Sequence, residues 1–174
     1  MIPTEFVTYL YHFHVDRDYF ECHEVLEEYW KENTSQEKDS IWVGFILLAV
    51  ANYHHRRNNF KGAIRTLEKA NLILSKKEME ITHLGIDEVQ LLQLLNDQLV
   101  KLKRMEPYKS YLLPIINKDL HSQCLAICKE PDDWGKESNL LNEHLIHRHK
   151  LRDRSNIIAD RNNALIERKR KDSE

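Results

Sequence analysis

Four glycines and four prolines are all the backbone punctuation in this chain of 174 residues. A sheet protein of that length needs a tight turn roughly every ten residues, so the scarcity points to helices. It also removes whole classes of chemistry. There is no Gly-x-x-x-x-Gly-Lys loop to cradle phosphates and no Gly-x-Ser-x-Gly turn to expose a nucleophile. Cysteine is scarce and odd in number, at Cys22, Cys124 and Cys128, which suits a reducing compartment better than a disulfide framework. The longest apolar run, Ile41 to Ala51, is 11 residues. About 20 are needed to span a bilayer, so no membrane segment is expected. The N-terminus lacks a basic stretch followed by an apolar one, and a cytoplasmic location is the expectation.

What is plentiful is charge. Asp, Glu, Lys and Arg make up 31% of the chain, yet the net charge is only −2. The balance is uneven, with +4 on residues 147–174 and −6 on the remainder. A domain of this size buries a real core, and its composition predicts an all-α, antiparallel helical bundle. Residues 1–130 read as the bundle domain, and residues 131–174 as a basic helical extension.

The best-signalled segment is Asp18-Tyr-Phe-Glu-Cys-His-Glu-Val-Leu-Glu-Glu-Tyr-Trp30. Asp18 and Glu21 have the spacing of an N-terminal cap, so a helix should start at Tyr19. Tyr19, Cys22, His23, Val25, Leu26, Tyr29 and Trp30 share its apolar face. Glu21, Glu24 and Glu28 fall on the opposite, solvent side. Glu27 lies at the border, one turn beyond His23. That pair has two readings: a hydrogen bond that ties the helix to its neighbour, or part of a metal or general-base site needing further ligands.

Five other helices follow from periodicity and caps. They are Thr4 to about His14, Asp39-Ser40 to Asn58-Asn59, Phe60 to Leu74, Val89 through Met105, and about Lys118 to Lys129. Ile41–Tyr53 is apolar almost all round and should be packed on every side, with Gly44 marking a close backbone approach. His54 should be partly buried, and His55, Arg56 and Arg57 exposed. Residues 75–85 read as a polar connection. From Ser138 onward the pattern predicts one long polar helix. An offset of 41 aligns Tyr19, Cys22, Leu26 and Glu27 with Phe60, Ala63, Leu67 and Glu68, which suggests two related hairpins.

Candidate ligands for a divalent metal are His23, Glu27 and His54, which a bundle could bring together. His121, Cys124 and Cys128 share one helical face, but buried cysteines of that kind are common core fillers. Arg148, Lys150, Arg152 and Arg154 form the start of the basic tail, a candidate contact for a protein partner or a second copy. The same tail could touch nucleic-acid phosphates, although Asp153, Asp160 and Glu167 make a solvated helix the simpler account.

Tyr19 to Trp30, then Ile46 to His54, then Asn59-Phe-Lys-Gly-Ala63 resemble domain-of-unknown-function family 309 (DUF309), a bacterial family. The resemblance covers roughly residues 17–75. Its pattern is Phe-Glu-x-His-Glu-x-Leu-Glu-x-x-Trp, an apolar helix with a late His, and Gly-Asn-x-x-Gly-Ala. It implies an all-α bundle and singles out His23, Glu24, Glu27, Trp30 and His54, with no assigned activity. The chain departs from the pattern at Leu47, where the family often has Gln, and at Asn58, where it has Gly. The resulting expectation is a bundle of five or six helices plus a long C-terminal helix, acting as a non-enzymatic partner-binding module. The alternative is a small metal-binding or hydrolase-like pocket on His23, Glu27 and His54.

Overall fold

The computed structural model describes residues 2–151, with side chains except at residue 131 and residues 148–151. Eight α-helices are present among the described residues: α1 (Thr4–Tyr11), α2 (Tyr19–Asn33), α3 (Ile41–Arg56), α4 (Phe60–Leu74), α5 (Glu78–His83), α6 (Glu88–Lys103), α7 (Lys118–Ala126) and α8 (Glu143–Leu151). A π-turn, His12–Asp16, continues α1. Five of the starts are set by side-chain caps that satisfy otherwise orphaned backbone N–H groups. Asp18 accepts from Glu21 N, Ser40 from Trp42 N, Asn59 from Gly62 N, Asp87 from Gln90 N and Asn117 from Leu120 N.

α3 is the central element, packed between α2 and α4; α6 lies on α4, and α1 lies on α2 and α7. Residues 57–59 alone separate α3 from α4, so the two fold straight back on each other. The residues of the sequence offset are core on both flanking helices: Cys22 and Leu26 on α2, Ala63 and Leu67 on α4. At the α1 end, Phe6, Tyr9 and Phe45 form an aromatic knot, with Phe6 and Phe45 edge to face at 5.0 Å. The Tyr9 hydroxyl donates to the Phe45 carbonyl at 3.0 Å, giving the buried phenol a partner.

Gly44 marks a close approach, but the neighbour is a side chain and not the expected backbone. A Cβ there would lie 2.7 Å from Leu74 Cδ2 on α4. Gly44→Ala should therefore push α4 outward and cost roughly 1–3 kcal/mol, despite the better helix propensity of alanine. Chemical denaturation would check this; a stabilised variant would show that Leu74 simply rotates away.

A strap, residues 107–137, crosses back over the bundle. Ile86 and Ile115 form an isolated β-bridge, and Asp87 N donates to the Pro114 carbonyl at 2.9 Å. Two corrections concern α3. His55 and Arg56 are buried rather than exposed, because residues 106–145 cover the end of α3: His55 Nε2 pairs with the Glu106 carbonyl, and Arg56 donates to Ser138 Oγ and the Leu145 carbonyl. Conversely, α3 is not packed on every side, since Val43, Leu47, Val50 and His54 form a half-buried row.

The helix count also differs from the expected five or six plus a tail. α5 occupies the segment read as a polar connection, and only Ile81 in it is buried. One and a half turns carry too little periodicity to register. The single long helix from Ser138 is not present as expected. Helix α8 begins only at Glu143 and has a non-helical residue at His147. Residues 152–174 lie outside the described residues, as do the side chains of Arg148 and Lys150, so Arg152 and Arg154 of the candidate partner contact are outside as well. No helix among the described residues is long and apolar enough to cross a membrane.

Candidate metal centre

The Asp18 cap fixes the first turn of α2 and thereby the phase of everything after it. His23, Glu24 and Glu27 then project from one edge of the helix. One ligand atom from each lies within 4.8 Å of the others, so the cluster is capable of coordinating a divalent metal. His23 Nδ1 is 3.1 Å from Glu24 Oε1, and His23 Nε2 is 3.5 Å from Glu27 Oε2. The other Glu27 oxygen is held by Lys31 Nζ at 3.0 Å, one further turn along. The three side chains are 28–33% exposed, at the boundary between core and water. Phe20, buried one turn before, lies with its ring 6.3 Å from the imidazole and floors the site.

The four-residue spacing places His23 and Glu27 together, and the structure agrees. Helical phase puts Glu24 in solvent, yet Glu24 is half-buried beside His23. A glutamate is long enough to bend round the helix toward the ring of its chain neighbour, which an angular wheel ignores. The His-Glu adjacency within the family pattern is the signal that singles Glu24 out. His54 is not a member of the cluster; its Nδ1 is 3.1 Å from Asn59 Nδ2, at the α3–α4 turn. Trp30 donates from Nε1 to the Glu37 carbonyl at 3.1 Å and closes the α2–α3 connection, a packing role.

The other candidate ligands do not converge. His121 packs edge-on against Trp134 at 5.1 Å. Burial pushes the Cys124 thiol up to about 12, so it stays protonated, and Cys128 Sγ donates to the Cys124 carbonyl. His12 and His14 face different ways. His12 Nδ1 contacts Asp16 Oδ2 at 2.9 Å. Burial opposes protonation of His12, but the Asp16 hydrogen bond and charge prevail and raise its pKa.

A second polar group, the one that holds the strap, carries no signal in the sequence. His14 is fully buried, with Nδ1 2.7 Å from the Leu10 carbonyl and Nε2 accepting from Leu113 N at 2.9 Å. Its ring stacks on Trp134 at 4.4 Å. Arg17, in the left-handed conformation at φ 58, donates to the carbonyls of Phe13, Tyr111 and Lys136. Arg56 donates to the Arg17 carbonyl at 2.6 Å and lies over the Tyr19 ring at 4.9 Å. These bonds run to backbone carbonyls, one backbone N–H and a serine, an arrangement that fixes chain position.

An all-helical domain with a His-Glu-x-x-Glu edge on its second helix is what the family pattern describes, and residues 6–66 match the model of the domain of unknown function DUF309. The chain belongs to that family. It is 43% identical over 171 residues, 98% of each chain, to the uncharacterised protein YpuF of Bacillus subtilis strain 168. No solved structure matches it.

Proposed function

We propose that this protein binds a divalent cation at the His23–Glu24–Glu27 edge of α2. The observation that carries the reading is the convergence of three ligand-type atoms within 4.8 Å. Imidazole nitrogen and carboxylate oxygen together suit borderline and hard ions such as zinc, manganese or iron(II). Ligands drawn from a single helix edge occupy one side of an ion and leave the other side for water or an external group. That open side is what a hydrolase-like role would use, since a metal-bound water ionises near neutrality. Partial exposure of all three side chains argues for an exchangeable ion over one that holds the fold together.

Metal analysis of the purified, untagged protein, paired with calorimetric titration of Zn²⁺ and Mn²⁺, tests the reading. The expected result is saturable, one-to-one binding that His23→Ala weakens at least about tenfold, while leaving helicity unchanged. No binding by the wild type, or equal binding by His23→Ala, would remove the proposal and leave His23 as a structural residue.

A further inference from the structure

We infer that the three side chains do different work: His23 Nε2 and Glu27 hold the cation, and Glu24 positions the imidazole without touching the ion. This rests on the cluster being a cation site, as proposed above.

Proton count separates the two carboxylates. The His23 ring lies between them, with Nδ1 3.1 Å from Glu24 Oε1 and Nε2 3.5 Å from Glu27 Oε2. Carboxylates only accept, and a neutral imidazole has one N–H to give. The shorter contact is within hydrogen-bond reach and the longer one is past it, so the N–H belongs on Nδ1, donated to Glu24. Nε2 then turns a lone pair toward a Glu27 oxygen. Two electron-rich atoms facing each other in this way are stabilised by a cation between them.

The spacing fits one. Two ligand atoms bound at about 2.1 Å and subtending roughly 90–110° at a metal lie about 3.0–3.4 Å apart. The Nε2 to Oε2 separation of 3.5 Å needs almost no closure to reach that bite. Glu27 is also held for the task, because Lys31 Nζ engages its other oxygen at 3.0 Å and leaves Oε2 facing the ring. Helical geometry explains the division. A residue four positions on stands one turn above His23 and meets the far nitrogen, whereas its chain neighbour reaches round only to Nδ1, nearer the backbone. A carboxylate on the second nitrogen fixes the tautomer and makes the ligating nitrogen more basic.

The experiment is calorimetric titration of the full chain with Zn²⁺, comparing wild type, Glu24→Gln, Glu24→Ala and Glu27→Gln, each checked for native helicity. The side-chain carbonyl that Glu24→Gln introduces still accepts the Nδ1 hydrogen. That variant should stay within about threefold of wild type, while Glu24→Ala should lose about 10–100-fold. Glu27→Gln, which removes a charged ligand, should lose at least about 100-fold. Nitrogen-15 spectra of His23 should show the Nδ1–H tautomer throughout, with Nε2 alone shifting on zinc addition. Glu24→Gln as weak as Glu27→Gln, or Glu24→Ala as tight as wild type, would overturn the division of labour while leaving the metal site standing. Wild type that binds no zinc would overturn both.

Discussion

Arg17→Ala is expected to destabilise the protein by about 3–5 kcal/mol, the largest effect of any single substitution outside the apolar core. Arg17 is 1% exposed, and its guanidinium serves three backbone carbonyls at 2.7–2.9 Å. Alanine would leave the Phe13, Tyr111 and Lys136 carbonyls without that donor, each at a cost of about 1–3 kcal/mol where water does not enter. Relief from burying a charge offsets part of this. Arg17→Lys should recover little, because one ammonium cannot span acceptors that the planar fork reaches from two sides. Urea denaturation gives the answer directly. A loss below about 1 kcal/mol would mean that water replaces the guanidinium and that the strap is held by its apolar contacts alone.

Acid should unfold the protein through His14. Burial pushes its pKa down to about 3, against 6.5 for a free imidazole, with Arg17 and His121 acting in the same direction and the Leu10 carbonyl opposing. The group is neutral in the native state and protonates first in the unfolded state, so the stability it protects is complete above pH 6.5. That stability falls as pH drops from 6.5 toward 3, by about 1.4 kcal/mol per pH unit. At pH 4.5 the loss approaches about 2.7 kcal/mol. His55, also lowered by burial, adds to the slope, and His12, raised by Asp16, subtracts from it. The structural reason is that Nε2 already accepts from Leu113 N, and a second proton there would set two donors face to face. Denaturant midpoints measured from pH 7.5 to 4 should therefore slope steeply in wild type and less in His14→Gln, which is itself weaker at neutral pH. Parallel slopes would show that carboxylates elsewhere govern the acid response.

Of the helices legible in the sequence, α2, α3, α4 and α6 share a property: each has a capping residue followed by four or more turns of periodic apolar side chains. Tyr19, Ile41 and Phe60 begin α2, α3 and α4 where the caps at Asp18, Ser40 and Asn59 place them. What was illegible depends on residues far away in the chain. His55 and Arg56 follow the apolar stretch of α3 and read as a basic helix end, yet residues 106–145 bury them. α5 is too short to show a period. For the site, the His23–Glu27 step was readable from four-residue spacing alone. Glu24 is singled out only by the family resemblance, because its place beside His23 depends on side-chain reach and not on helical phase. His54 reads as a partner of His23 because a bundle could bring their two apolar helices together. In the fold, however, its ring nitrogen faces Asn59 at the next turn.

The strap also sets an order of events during synthesis. Its hydrogen bonds from His14 to Leu113 and from Arg17 to Tyr111 and Lys136 join residues 99, 94 and 119 positions apart. The helices between them are local structures that form in microseconds. A ribosome, at about 5–20 residues per second, takes several seconds to deliver the remainder. Until residues 111–136 have been made, the chain lacks the Tyr111, Leu113 and Lys136 groups that bind Arg17 and His14. Strap closure therefore waits until residue 136 has been made.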